Sequence, residues 1–153
     1  LGGHQERGIR PGTENLPYAV GLGLAAEQGA RRMRASAANA AALNAQLRAG
    51  LAALPGVTVH SPAGAVPEVL NFSTNCVNSQ TFISYLNDRQ IYVSGGSACD
   101  KGEPSHTLQA MGCDARAVAT ALRVSFCAGN DEGDVAALLA ALKDGLAELQ
   151  HIA

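Results

Sequence analysis

The sequence predicts an α+β domain, with a small, mostly antiparallel sheet packed against helices in two layers. Three observations point there. The first is composition: 47% of the 153 residues are apolar but only 4% are aromatic, and the apolar mass is Ala, Leu and Val, which suits helices packed closely on a small sheet. The second is the alternation of long stretches of helical period with short apolar runs of strand length. The third is that the connections between them are short, so successive elements lie beside one another. A chain of this length can bury its own core.

Residues 1–15 read as a glycine-rich, charged loop with Gly2, Gly3, Gly8 and Gly12 among Glu6, Arg7, Arg10 and Glu14. Gly12-Thr13 offers backbone N–H groups and a hydroxyl, a common way to hold an anion. A solvated linker has the same composition. Residues 16–53 read as a helix. Asn15 can cap it and Pro17 stands in its first turn. Leu16, Val20 and Leu24, then Leu43, Leu47, Leu51 and Leu54, recur at helical spacing. Arg31-Arg32-Met33-Arg34 in the middle marks a bend or an exposed face, and Pro55-Gly56 ends the helix.

Val57 to His60 and Val69 to Ser73 are strand candidates, separated by a turn-rich loop. Gln80 to Asp88 is a helix capped by Asn78 or Ser79. Ile91 to Val93 is a further strand, Ser105 to Met111 a short helix ending at Gly112, and Asp114 caps another through Thr120. Leu122 to Phe126 alternates as a strand, with Arg123 and Ser125 on one face and Leu122, Val124 and Phe126 on the other. An arginine projecting from a strand between apolar neighbours needs an anionic partner. Asp131 caps the last helix, whose stripe is Val135, Leu138, Leu139, Leu142, Leu146 and Leu149.

One stretch stands apart, Ser94-Gly-Gly-Ser-Ala-Cys-Asp-Lys-Gly-Glu-Pro-Ser-His106. A structural cysteine usually sits among hydrophobes. Cys99 instead sits among Gly, Ser and charged residues, as in a mobile, exposed loop. Gly95 to Pro104 span at most roughly 33 Å when extended, so a thiol carried there could travel between two positions. The thiolate is the reactive form; Lys101 and His106 are the local groups that favour it and Asp100 opposes it. An incidental surface cysteine remains the plain alternative on this stretch alone.

Other classes are set aside by composition. A net charge of −2 leaves no basic footprint for nucleic acid. No apolar run has the length of a membrane span, and no signal peptide is visible. The four cysteines show no Cys-x-x-Cys spacing, so no metal site is expected, and so few cysteines in a chain of this length suit a reducing cytoplasm. The opening Leu1-Gly2-Gly3-His4, without Met, reads as the inside of a longer protein.

Several stretches together resemble the C-terminal part of a cysteine desulfurase, within the class V aminotransferase group of fold type I pyridoxal-phosphate enzymes. They are Gly2 to Asn15, Leu70-Asn71-Phe72-Ser73, Ser94 to Cys99, Glu103-Pro104-Ser105-His106 and Leu122-Arg123-Val124-Ser125, in the family's order and across essentially the whole chain. The Gly-Ser-Ala-Cys form resembles the nitrogen-fixation and iron–sulfur housekeeping branch. The resemblance implies a cofactor-proximal loop at 1–15, from the end of a large domain, and a small domain at 16–153 with the catalytic cysteine loop at 94–104.

It implies that L-cysteine becomes L-alanine and that Cys99 carries the sulfur as a persulfide for iron–sulfur clusters or other thio-cofactors. It also implies that Thr13 reaches the phosphate of pyridoxal 5'-phosphate, that Arg123 holds the substrate carboxylate, and that Asn71 assists in substrate binding. The parent would be a cytoplasmic homodimer with a sulfur-acceptor or scaffold protein as partner. The family's Schiff-base lysine has no counterpart: the two lysines are Lys101 and Lys143, neither in the family's setting. The chain alone is therefore expected to be inactive. A selenocysteine or cystine lyase, a non-catalytic domain docking on an acceptor scaffold, and a stand-alone persulfide carrier are the other readings.

Overall fold

The structure, a computed structural model, describes residues 2–96 and 104–152. The backbone contacts divide the chain into two compact units, 1–35 and 36–153. Cys99 lies outside the described residues.

In the first unit, a short 3-10 turn at Gln5–Gly8 puts Glu6 and Arg7 at φ of 51° and 55°. Gln5 holds the following loop by accepting from the Gly12 N–H at 3.2 Å, and Arg10 Nη1 donates to the Thr13 carbonyl at 3.5 Å. Helix α1 (Leu16–Ala52) then begins, capped as the sequence predicts by Asn15, whose side chain accepts from the Tyr18 N–H at 3.2 Å. The Arg31 cluster marks no break in this helix. Arg31 pairs with Glu27 one turn earlier at 2.5 Å, both exposed.

The second unit is α+β. Strands β1 (Thr58–Val59), β2 (Val69–Ser73) and β3 (Ala121–Ser125) form an antiparallel sheet in the order β1-β2-β3. The register pairs Leu70 with Val124, Asn71 with Arg123 and Phe72 with Leu122. Because side chains alternate, Leu70, Phe72, Leu122 and Val124 share the buried face. They pack with Leu43, Leu47 and Leu51 of α1, Phe82 and Leu86 of α2 (Ser79–Asn87), and Val135, Leu138 and Leu142 of α5 (Glu132–Glu148). A smaller cluster of Leu108, Val118 and Ala121 joins α3 (His106–Ala110) to α4 (Ala115–Ala119) and the start of β3.

The helix starts follow the sequence. The Asn78, Ser105 and Asp114 side chains accept from Gln80, Leu108 and Ala117 N–H groups. Asp131 forms a reciprocal capping box with Asp134. That arrangement holds the Asp134 carboxyl below its usual pKa, chiefly through the Asn130 side chain and then the Asp131 N–H.

Two expectations need correction. Ile91 to Val93 is not a strand; pairing is confined to a bridge between Ser94 and Arg123. The cause lies upstream. Helix α2 closes in a Schellman turn, with Ile91 N–H donating to the Leu86 carbonyl and Gln90 N–H to that of Asn87. Gln90 sits at φ 60° in the position glycine usually takes, so Ile91 is still tied to the helix. The first strand also shrinks to two residues, and His60 lies just past its end.

Candidate functional site

The face of the sheet away from the main core carries the site. Asn71 and Arg123 oppose each other across β2 and β3, and Arg123 is tied on its other side to Ser94 by a reciprocal backbone pair at 2.6 and 3.1 Å. Arg123 therefore projects from a backbone held on both edges. The two residues border a cavity of about 280 Å³, near the small end of ligand pockets (roughly 300–1,000 Å³).

Three further segments complete the wall: His60, Ser61 and Pro62 after β1; Gly95 and Gly96; and Ser105 to Leu108 with Met111. Arg123 is the one residue with a fixed charge among these described lining residues, and no described carboxylate lies within ion-pair distance of it. An anionic ligand is what such a guanidinium takes. Beside it, the Asn71 side-chain oxygen is buried with no described hydrogen-bond partner, which costs free energy as it stands.

The wall at residues 60–62 is held from α1. Buried Asn44 donates to the Pro67 carbonyl at 2.8 Å and accepts from Arg48 Nε at 2.7 Å. Arg48 also donates to the carbonyls of Ser61 at 2.9 Å and Pro62 at 3.1 Å. The loop is tied to the sheet as well: the Ser61 hydroxyl accepts from the Asn71 N–H, and His60 and Ser61 N–H groups both donate to the Asn71 carbonyl. A helix that fills the core with its leucines thus fixes one wall of the cavity with its polar residues. At the opposite wall, a Cβ on Gly95 would stand 3.2 Å from Ile83 and 3.3 Å from Ser79, so a larger residue there would press on α2.

Of the residues singled out by sequence, Asn71 and Arg123 are brought together and His106 joins them at the rim. Thr13 belongs to the other unit, in the loop held by Gln5 and Arg10. For Cys99, the described neighbours on either side of its stretch are informative. Gly95 and Gly96 precede it, Ser105 and His106 follow it, and all four line the cavity.

His60 was not foreseen as part of a site. Its Nε2 lies 2.7 Å from the Ser73 hydroxyl and its Nδ1 3.6 Å from the Cys113 sulfur. Burial pushes its pKa below 6.5, against the attraction of Asp114. The available signal was parity, since Ser73 is two residues from Asn71 on β2; nothing in the sequence paired His60 or Cys113 with it.

The aminotransferase class V family model matches residues 3–138. A cysteine desulfurase of Rhodobacter capsulatus is 38% identical over 99% of this chain and 40% of its own length. The cysteine desulfurase NifS of Azotobacter vinelandii is 34% identical over 99% of this chain and 39% of its own. Among solved structures, a NifS-like protein superposes with a TM-score of 0.82 at 33% identity, covering 97% of this chain and 38% of that one. A NifS-like protein from Rickettsia africae gives 0.79 at 25%. The chain spans about two fifths of the length of these relatives. On the match across most of its length, the chain belongs to the aminotransferase class V family, among homologues that are cysteine desulfurases.

Proposed function

We propose that the chain is the small-domain part of a cysteine desulfurase and that the Asn71–Arg123 cavity receives L-cysteine. The observation that carries this reading is that both described approaches to Cys99 line the cavity into which Arg123 faces. In it, Arg123 holds the substrate carboxylate through two parallel N–H bonds, and Asn71, opposite it on β2, helps to place the substrate. Cys99 then takes the sulfur. L-cysteine and the Cys99 thiol give L-alanine and a Cys99 persulfide, with no outside oxidant. A glycine-rich tether suits a thiol that must first meet substrate and then a sulfur acceptor.

Pyridoxal phosphate supplies the electron sink for this chemistry, but the described residues do not make up its site. The described lining residues include no lysine, and Lys143 is exposed on α5. Thr13 is assigned a contact with the cofactor phosphate and residues 1–15 the edge of the larger domain; the rest of the cofactor site lies in sequence this chain does not contain. A cytoplasmic homodimer that passes sulfur to an acceptor or scaffold protein for iron–sulfur assembly goes with this reading.

Arg123→Gln tests it in a protein of the relatives' full length. Loss of a charge-assisted pair to a buried carboxylate costs about 3 kcal/mol, so KM for L-cysteine should rise roughly 100-fold while cofactor binding is kept. An unchanged KM would remove the cavity from the substrate's path.

A further inference from the structure

Behind the wall of the cavity lies a second thiol held against an imidazole, and donor counting fixes its protonation. The Ser73 hydroxyl donates its single proton to the Ala117 carbonyl at 2.5 Å. It can therefore only accept from His60, 2.7 Å away, so Nε2 carries the imidazole proton. Nδ1 is then a bare lone pair facing Cys113 sulfur at 3.6 Å, and the thiol is the donor. A nucleophile, a base within reach of its proton and a third group orienting the base form the constellation of an activated nucleophile.

Both partners are fixed by backbone. The Schellman turn that ends α3, with Gly112 at φ 81°, ties the Cys113 N–H to the Leu108 carbonyl at 3.0 Å. The His60 N–H donates to the Asn71 carbonyl at 2.8 Å. Among the described residues the nearby charge is Asp114, whose carboxylate is engaged in capping α4 through the Ala117 N–H. Cys113 is half-buried, packed against Leu108, Val118 and Ala121. Cys76, also half-buried, and exposed Cys127 have no described hydrogen bond from thiol to imidazole, the Cys76 neighbour His151 pointing Nε2 at the Leu146 carbonyl instead, and serve as internal comparisons.

We propose that Cys113 and His60 form a second sulfur-accepting site that takes the outer sulfur of a small persulfide. The Cys113 proton passes to His60 Nδ1, and the thiolate attacks the outer sulfur of R–S–SH. A bond forms from Cys113 to that sulfur and the bond from R–S to it breaks. R–S⁻ leaves with the proton from Nδ1, so Cys113–SH and R–S–SH become Cys113–S–SH and R–SH without oxidant or cofactor. The persulfide as donor class rests on the desulfurase reading, in which persulfide sulfur is what the longer protein produces. The His60-assisted thiol does not rest on it.

The test uses this chain as Cys99→Ser, without pyridoxal phosphate, treated with cysteine persulfide and, separately, with a small disulfide. Trypsin places Cys76, Cys113 and Cys127 in different peptides, so each is read alone by mass. Cys113 should gain one sulfur atom about 100-fold faster than Cys76, the lower end of general-base assistance. His60→Gln should bring it down to the rate of Cys76, and in the intact chain the advantage should fall on acidification as His60 takes a proton.

Equal rates at Cys113 and Cys76 with both reagents would overturn the site. So would a Cys113 advantage that ignores both His60→Gln and pH. Fast, His60-dependent exchange with the disulfide and no sulfur gained from the persulfide would overturn the donor assignment. Alanine formation by the longer protein is a separate readout, so failure of the desulfurase reading is distinguishable from each of these.

Discussion

Leu16, Val20 and Leu24 recur every four residues on the same helix as Leu43, Leu47 and Leu51. The first three are 68%, 66% and 54% exposed, and the second three are at most 1% exposed. Spacing is identical in the two sets, so periodicity marks which side of a helix is apolar and leaves open whether anything covers it. The second set meets Phe72, Leu122 and Leu142. Every described residue of the first unit apart from half-buried Gln5 is exposed.

The contrast should break most visibly under leucine truncation. Leu47→Ala removes a fully buried side chain and should cost about 2–5 kcal/mol, read as a lower midpoint in urea. Leu24→Ala should stay within about 0.5 kcal/mol. Comparable losses at the two positions would mean that the first half of α1 is covered in solution.

A cap gives a smaller effect. Asp131→Ala removes two N–H bonds at the start of α5 and should cost about 1 kcal/mol. Asn15→Ala, at the head of the exposed half of the helix, should cost less in the same assay.

The smallest effect is in pH. Because burial lowers the His60 pKa in the folded state, the unfolded chain binds the proton more readily. The His60 contribution to stability is whole above pH 6.5 and is lost as pH falls from there through the folded-state pKa. His60→Gln should flatten that part of the stability profile, measured as Tm across this window. An unchanged slope would mean that the imidazole is as accessible folded as unfolded.

Much of the fold was legible because it is locally encoded. Asp114, Asp131, Asn78 and Asn15 each announce a helix, and the alternation of Leu122 to Phe126 places Arg123 on the face away from the core. Ile91-Tyr92-Val93 carries a strand pattern, but a run of β-branched and aromatic residues forms a strand only when a partner lies alongside. Here the left-handed Gln90 keeps Ile91 bonded to α2. The Asn71–Arg123 half of the site was legible as residue types, although their pairing is a matter of register. His60 and Cys113 were not legible together, because fifty-three residues separate them and only the packing of α3 and α4 beside the sheet brings them within reach.

The central claim is that the Arg123 cavity and the Cys99 stretch work on one substrate. The most direct measurement is alanine formed from L-cysteine by a protein of the relatives' full length, with and without Cys99→Ala. The account predicts that the variant binds the cofactor and L-cysteine as before and makes no alanine, and that no persulfide forms on the peptide 90–101. Alanine at the parent rate without the Cys99 thiol would contradict it.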